Sequence, residues 1–296
     1  MVFFSLLLVL AADDPADSLA KKMLPVYVKE AAEYSIAIEC APKKKLERKK
    51  EPVFEWSNPI RERLQQGVIF LWLRDGRPAA LGCIFSQPEA KLPGRRIIHE
   101  FHALDRDKLL VSRPKAFNEW KPQAGLTRKE LPGSGAPAAT AGARLVQMRR
   151  LAREFTGHEM NRDGDGKRWE LRLLPTPLYR YPVARRGVVD GALFALVSTI
   201  GTDPEVLLLL EARQEGAKTR WEYACGRFSN FDLHVQRNDK EIWSSVRSKT
   251  NTFYHDPLHL YRVYGDKIVS VDGTMLARVR EKRGVWGGEV IPVNEK

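Results

Sequence analysis

Two apolar runs, Gly67 to Arg74 and Ala79 to Phe85, flank the dipeptide Asp75-Gly76. Glycine accepts the positive φ that a two-residue hairpin turn demands, so this segment is committed to an antiparallel strand pair. A similar order of segments recurs in the second half. The first copy runs from a helical stretch at Leu19 to Ala37 through strands at Pro52 to Trp56, at the hairpin itself, at Arg96 to His102 and at Lys108 to Arg113, to Trp120. The second runs from a helix at Arg144 to Phe155 through Trp169 to Leu174, Gly191 to Val197, Val206 to Leu210, Trp221 to Tyr223 and Phe231 to Arg237, to Trp243. The apolar helix faces read as Leu24, Val28, Ala31 and Ala32 in the first copy, and Leu145, Met148, Leu151, Ala152 and Phe155 in the second. Length differences fall at turns, where they are tolerated.

The pattern predicts an α+β fold: two repeated helix-plus-antiparallel-meander units with a C-terminal β-hairpin extension. The boundaries follow as a signal peptide at 1–12, a first repeat at 13–130, a linker at 131–143 rich in Pro, Gly and Ala, a second repeat at 144–250 and an extension at 251–296 whose hairpin turns at Asp272-Gly273. Val206 to Leu210 does not alternate, which predicts a central strand buried on both faces. Residues Met1 to Ala12 carry no charged side chain and resemble the apolar region and small-residue cleavage site of a secretory signal, cut after Ala11 or Ala12. No apolar run is long enough for a transmembrane span, and three cysteines exclude a disulfide scaffold. Cys40 and Cys225 are left as a pair that export would permit.

The chain of 296 residues carries a net charge of +12. Only the run from Lys43 to Lys50 is dense: Lys43, Lys44, Lys45, Arg48, Lys49 and Lys50 surround Leu46 and Glu47. Such a run suits an anionic polymer or surface, or else a solvated strand edge where charge blocks edge-to-edge pairing. It lacks the interleaved aromatics that stack bases, so sequence-specific nucleic-acid binding is not expected.

Catalytic signatures are sparse. There is no nucleophile elbow, no phosphate-binding loop and no zinc-ligand spacing. Asn161, Asp163 and Asp165 with Gly166 match the opening of a calcium loop, but Arg172 stands where its bidentate Glu belongs, and a glycine-rich turn joining helix to strand is the better reading. His99 and His102 lie three apart on a strand and face opposite ways; His255 and His259 flank Pro257; His158 and His234 stand alone. Cys83 reads as an inert apolar residue. Glu100 and Glu222 occupy matching strands and form the one carboxylate pair a hydrolase could use, provided the fold sets them across a cleft. Tyr179, Arg180 and Tyr181 form an aromatic and cationic binding candidate. No cofactor is expected.

The segments Leu173 to Tyr181, Asp190 to Phe194, Gly201 to Glu205, Leu207 to Arg213 and Trp221 to Ala224, with Arg144 to Ala152, resemble uncharacterised secreted proteins of planctomycete-type bacteria. The resemblance spans residue 13 to about 260 and implies secretion only; it carries no activity and no site. The function expected from the sequence is an exported, basic, non-enzymatic binding or scaffold protein of the cell envelope or periplasm. The alternative is an extracytoplasmic hydrolase built on the two glutamates.

Overall fold

The computed structural model describes residues 15–58, 64–114, 116–123, 125–161, 166–182, 187–246, 256–282 and 285–293. Among them are two helices, α1 (Pro15–Ala32) and α2 (Ala141–Ala152), and strands in three sheets. The first large sheet runs β20 (Val285–Pro292), β19 (Met275–Lys282), β18 (Tyr261–Val269), β7 (Arg95–Ala103), β6 (Arg77–Pro88), β5 (Gln65–Arg74) and β3 (Glu47–Arg48), with β4 (Phe54–Asn58) also on β5. The second runs β17 (Lys240–Ser245), β16 (Asp232–Arg237), β10 (Phe155–Met160), β11 (Arg168–Leu173), β13 (Val188–Ser198), β14 (Pro204–Glu215), β15 (Lys218–Arg227) and β9 (Lys129–Glu130), with β12 (Tyr179–Arg180) on β13. A small sheet orders β2 (Ala41–Lys45), β1 (Ser35–Ile38) and β8 (Leu109–Ser112).

Alternation explains the layering. On β5, Val68, Phe70 and Trp72 pack beneath Met23, Tyr27 and Ala31 of α1, while Ile69, Leu71 and Leu73 face the second sheet. On β14, Val206, Leu208 and Leu210 lie against the α2 side, and Leu207 and Leu209 enter the core between the sheets. The apolar run without alternation is therefore a strand buried on both faces, as its pattern requires. The molecule stacks as helix, sheet, sheet, helix around three apolar layers. No helix among the described residues is long and apolar enough to cross a membrane.

The α+β expectation is wrong: the protein is mostly β-sheet. Each helix merely caps one outer sheet face, and strands build everything else. Nor are the halves matching units. In the first half β1 pairs with β2 and β8 in a separate small sheet; in the second, β10 pairs with β11 and β16, and β11 pairs on with β13, so these strands stay within the large sheet. The C-terminal hairpin is present, β18 pairing with β19 across Asp272-Gly273, but it is no appendage. Strand β18 pairs with β7 over Tyr261 to Val269, so the first sheet draws on both ends of the chain. A sequence reading registers strands in order but not the partners they choose across long separations.

Local details also shift. Helix α1 ends at Ala32 rather than Ala37, and buries Met23, Tyr27, Glu30 and Ala31 while Ala32 is exposed. Tyr27 turns inward because Ser86 Oγ, 2.6 Å away, satisfies its hydroxyl. Helix α2 ends before Phe155, which opens β10; its buried face includes Arg144, paired with the fully buried Asp190 at 3.0 Å. Thr140 caps α2 by accepting the Ala143 N–H. The hairpin turn at Asp75 (φ 52°) and Gly76 (φ 82°) has both central residues in the left-handed region, as the tight turn requires. Residues 1–12, Asp163, Asp165 and His255 lie outside the described residues, so the signal peptide and most of the calcium motif do too.

Candidate functional site

The lysine run folds as an edge. Strand β2 lies outermost in the small sheet, with Pro42, Lys43, Lys44 and Lys45 exposed; Lys44 reaches Asp75 at 3.2 Å. The chain then crosses to β3, which pairs with Leu73 and Trp72 of β5. Arg48 lies over the Phe70 ring and donates to the carbonyl of Lys49 at 2.9 Å. This crossover brings Lys49 Nζ to 5.4 Å from the ring centroid of Tyr179, on a strand of the other large sheet. Tyr179 is half-buried and donates to Gly76 O at 3.3 Å, at the hairpin tip; burial, with Glu47 nearby, raises its phenol above the usual value. Two sequence candidates that lie far apart in the chain thus share one surface.

Arg180 and Tyr181 do not join that surface, although the buried Tyr181 ring stacks beside that of Tyr179 at 6.2 Å between centroids. Arg180 is held by Asp190 at 2.9 Å and by Ala141 O at 2.5 Å. Tyr181 is buried, and its hydroxyl donates to Glu211 at 2.9 Å. Gly191 makes this possible: a Cβ there would stand 2.3 Å from the Tyr181 ring. Glu211 also receives Arg77 through two bonds, at 2.7 and 2.8 Å, and Arg128 at 3.2 Å. Burial alone would raise its carboxyl, but the two guanidiniums and the Tyr181 hydroxyl outweigh it and bring it to about 2. Because Arg77 belongs to the first large sheet and Glu211 to the second, this network ties the sheets together.

Glu100 and Glu222 sit in different networks. Glu100 is half-buried and accepts from the Tyr261 hydroxyl at 2.6 Å. Glu222 is buried, with Arg106 at 2.5 Å and Arg220 at 3.5 Å. Three guanidiniums, counting Arg213 at 3.9 Å, surround Glu222, so its oxygens are already engaged. Asn161 forms part of a turn between β10 and β11, two strands rather than a helix and a strand, and accepts from the Gly166 N–H at 3.0 Å. Cys40, Cys83 and Cys225 are all free, so Cys40 and Cys225 do not pair. Burial pushes the Cys83 thiol well up, and Trp56 Nε1 donates to its sulfur at 3.3 Å, which suits an inert core residue.

The densest polar cluster was invisible in the sequence. Glu30 of α1, His99 of β7, Arg113 after β8, and Asp266 and Lys267 of β18 converge beneath α1. Arg113 meets Glu30 at 2.6 Å and Asp266 at 2.7 and 3.0 Å, and Lys267 meets Glu30 at 2.8 Å. The His99 Nδ1 and the Tyr264 hydroxyl both hydrogen-bond to the Tyr34 hydroxyl, at 2.7 and 2.5 Å. Burial would raise Asp266, but His99, Arg113 and Lys267 outweigh it and its carboxyl falls to about 2; burial lifts the Tyr264 phenol to about 12. Ligand atoms of Glu30, His99 and Asp266 lie within 4.8 Å of one another, the spacing of a metal centre. The charges argue otherwise. Two carboxylates already face two cations, and an ion would have to displace Arg113 from both. The cluster ties α1, β7 and β18 together. His102, three residues on, faces the opposite way, with its ring against Gly226.

His158 and His234, isolated in the sequence, are direct cross-strand partners with stacked rings. The signal that would have found them, the pairing of β10 with β16, is not local. Comparisons with protein-family models, with curated proteins and with solved structures find no match.

Proposed function

We propose that the chain is an exported, non-enzymatic binding or scaffold protein of the cell envelope or periplasm, and that it contacts anionic polymers through the edge of β2 and the adjoining Tyr179. The observation that carries this reading is the Lys49 ammonium poised over the Tyr179 ring, beside the exposed row of Lys43, Lys44 and Lys45. The run from Lys43 to Lys50 carries six cationic side chains and one acidic one, Glu47, and Lys44 pairs with Asp75, so the segment keeps a positive excess. Lys43 and Lys45 are free to meet carboxylate, sulfate or phosphate, and the aromatic ring holds Lys49 in place at modest entropic cost. The polar, charged strand at an open edge also prevents the same surface from recruiting another sheet. Export rests on the uncharged apolar leader, Met1 to Ala12.

The test is retention of the full mature chain on an immobilised acidic polysaccharide. Changing Lys43, Lys44, Lys45, Lys49 and Lys50 together to Gln is expected to abolish most retention at low salt and to change little at high salt, where exposed charges are screened within about 3–10 Å. Equal retention of the two proteins at low ionic strength would overturn the reading.

A further inference from the structure

From the stacked imidazoles of β10 and β16 we infer a second site: His158 and His234 bind a late first-row transition-metal dication such as Zn²⁺, Ni²⁺ or Cu²⁺. The two residues are register partners on adjacent antiparallel strands, so their Cβ atoms project side by side from one face. Their rings lie 4.6 Å apart between centroids and 6° from parallel. Two imidazole nitrogens on one tetrahedral ion, each at ~2.1 Å, stand ~3.4 Å apart; because the stacked rings aim their lone pairs in parallel, ligation rotates both imidazoles out of the stack about their χ angles until the lone pairs converge.

The orientation is set on one side already. His234 Nδ1 lies 2.8 Å from Glu241 Oε2. A carboxylate there takes the Nδ1–H and leaves the Nε2 lone pair for an ion, the arrangement that orients histidine ligands in metal sites. His158 makes no hydrogen bond to another described residue through its ring. Glu170 on β11 is the cross-strand partner of His158 and is exposed, but its carboxylate is engaged with Arg168 at 2.8 Å, so the two imidazoles are the protein ligands and water completes the ion's shell. Of the charged side chains that act most on His158, Glu170 and Glu241 are acidic and Arg168 is basic. This separates the pair from the His99 cluster, where two cations already occupy the carboxylates. Two imidazoles match the donor preference of zinc, nickel and copper over magnesium or calcium.

The experiment is calorimetric titration of the full chain, free of any added histidine tag, with Zn²⁺ and with Ni²⁺, and electron paramagnetic resonance of the Cu²⁺ form. One ion per chain is expected, with nitrogen hyperfine structure from two imidazoles. His158→Gln and His234→Gln should each abolish the two-nitrogen signal. Glu241→Gln, at an exposed position, should weaken binding by about 10-fold or more while leaving the fold intact. Circular dichroism checks that each variant is folded. Absence of binding at millimolar zinc, or wild-type affinity in Glu241→Gln and both histidine variants, would overturn the site.

Discussion

Replacing Glu211 with Gln tests the network that joins the two large sheets. The substitution preserves shape and removes the charge that two buried guanidiniums, Arg77 and Arg128, share. The carboxyl of Glu211 falls from 4.5 to about 2 on folding. At about 1.4 kcal/mol per pH unit, that difference contributes about 3 kcal/mol of stability at neutral pH. Breaking a buried ion pair by removing one partner costs about 3–5 kcal/mol by an independent route. The sign fixes the pH dependence. The unfolded state binds the extra proton between pH 4.5 and about 2. The contribution is therefore complete above the unfolded value and declines as the solution is acidified through that window, leaving about 1.4 kcal/mol at pH 3. Urea unfolding of both proteins across this range should show a deficit of about 3–5 kcal/mol in Glu211→Gln at pH 7 that shrinks by about 2 kcal/mol at pH 3. A deficit that stays constant with pH, or one below about 1 kcal/mol at neutrality, would refute the argument that the charge of Glu211 holds the sheets together.

Other expectations are simpler. Leu208→Ala, in the fully buried layer between β14 and α2, should cost about 2–5 kcal/mol by urea unfolding, whereas Val146→Ala on the exposed side of α2 should stay within about 0.5 kcal/mol. Protein recovered from the exterior or periplasm of an expressing bacterium should begin at Ala12 or Asp13 by N-terminal sequencing; a chain that still begins at Met1 in the cytoplasm would contradict export. Loss of two-imidazole copper ligation in His158→Gln and His234→Gln remains the readout for the metal site.

What the sequence revealed was local. The Asp75-Gly76 turn, the apolar runs of β5 and β6 and the double burial of β14 follow from residue chemistry within a few positions, and the structure has all three. The fold class did not follow, because it depends on partners. Strand β2 is Ala-Pro-Lys-Lys-Lys, a composition that signals a loop; it is a strand because β1 offers hydrogen bonds and solvent accepts its side chains. Similarly, β18 joins β7 across most of the chain, which makes the C-terminal segment part of the first sheet. The sites divide along the same line. Lys43 to Lys50 is contiguous and visible, but its approach to Tyr179 requires two sheets to meet. The His99 cluster gathers residues from α1 to β18, and His158 finds His234 only through the pairing of β10 with β16. Helix faces were displaced because Tyr27, Glu30 and Arg144 are buried polar residues whose partners lie in other elements.

The claim that anionic polymers meet the β2 edge beside Tyr179 is tested most directly by lysine acetylation footprinting, with and without an acidic polysaccharide at low ionic strength. The account predicts protection of Lys43, Lys44, Lys45 and Lys49 on binding, with no change at the exposed Lys121 and Lys218. Protection spread evenly over all exposed lysines, or confined to lysines outside the Lys43 to Lys50 run, would contradict it.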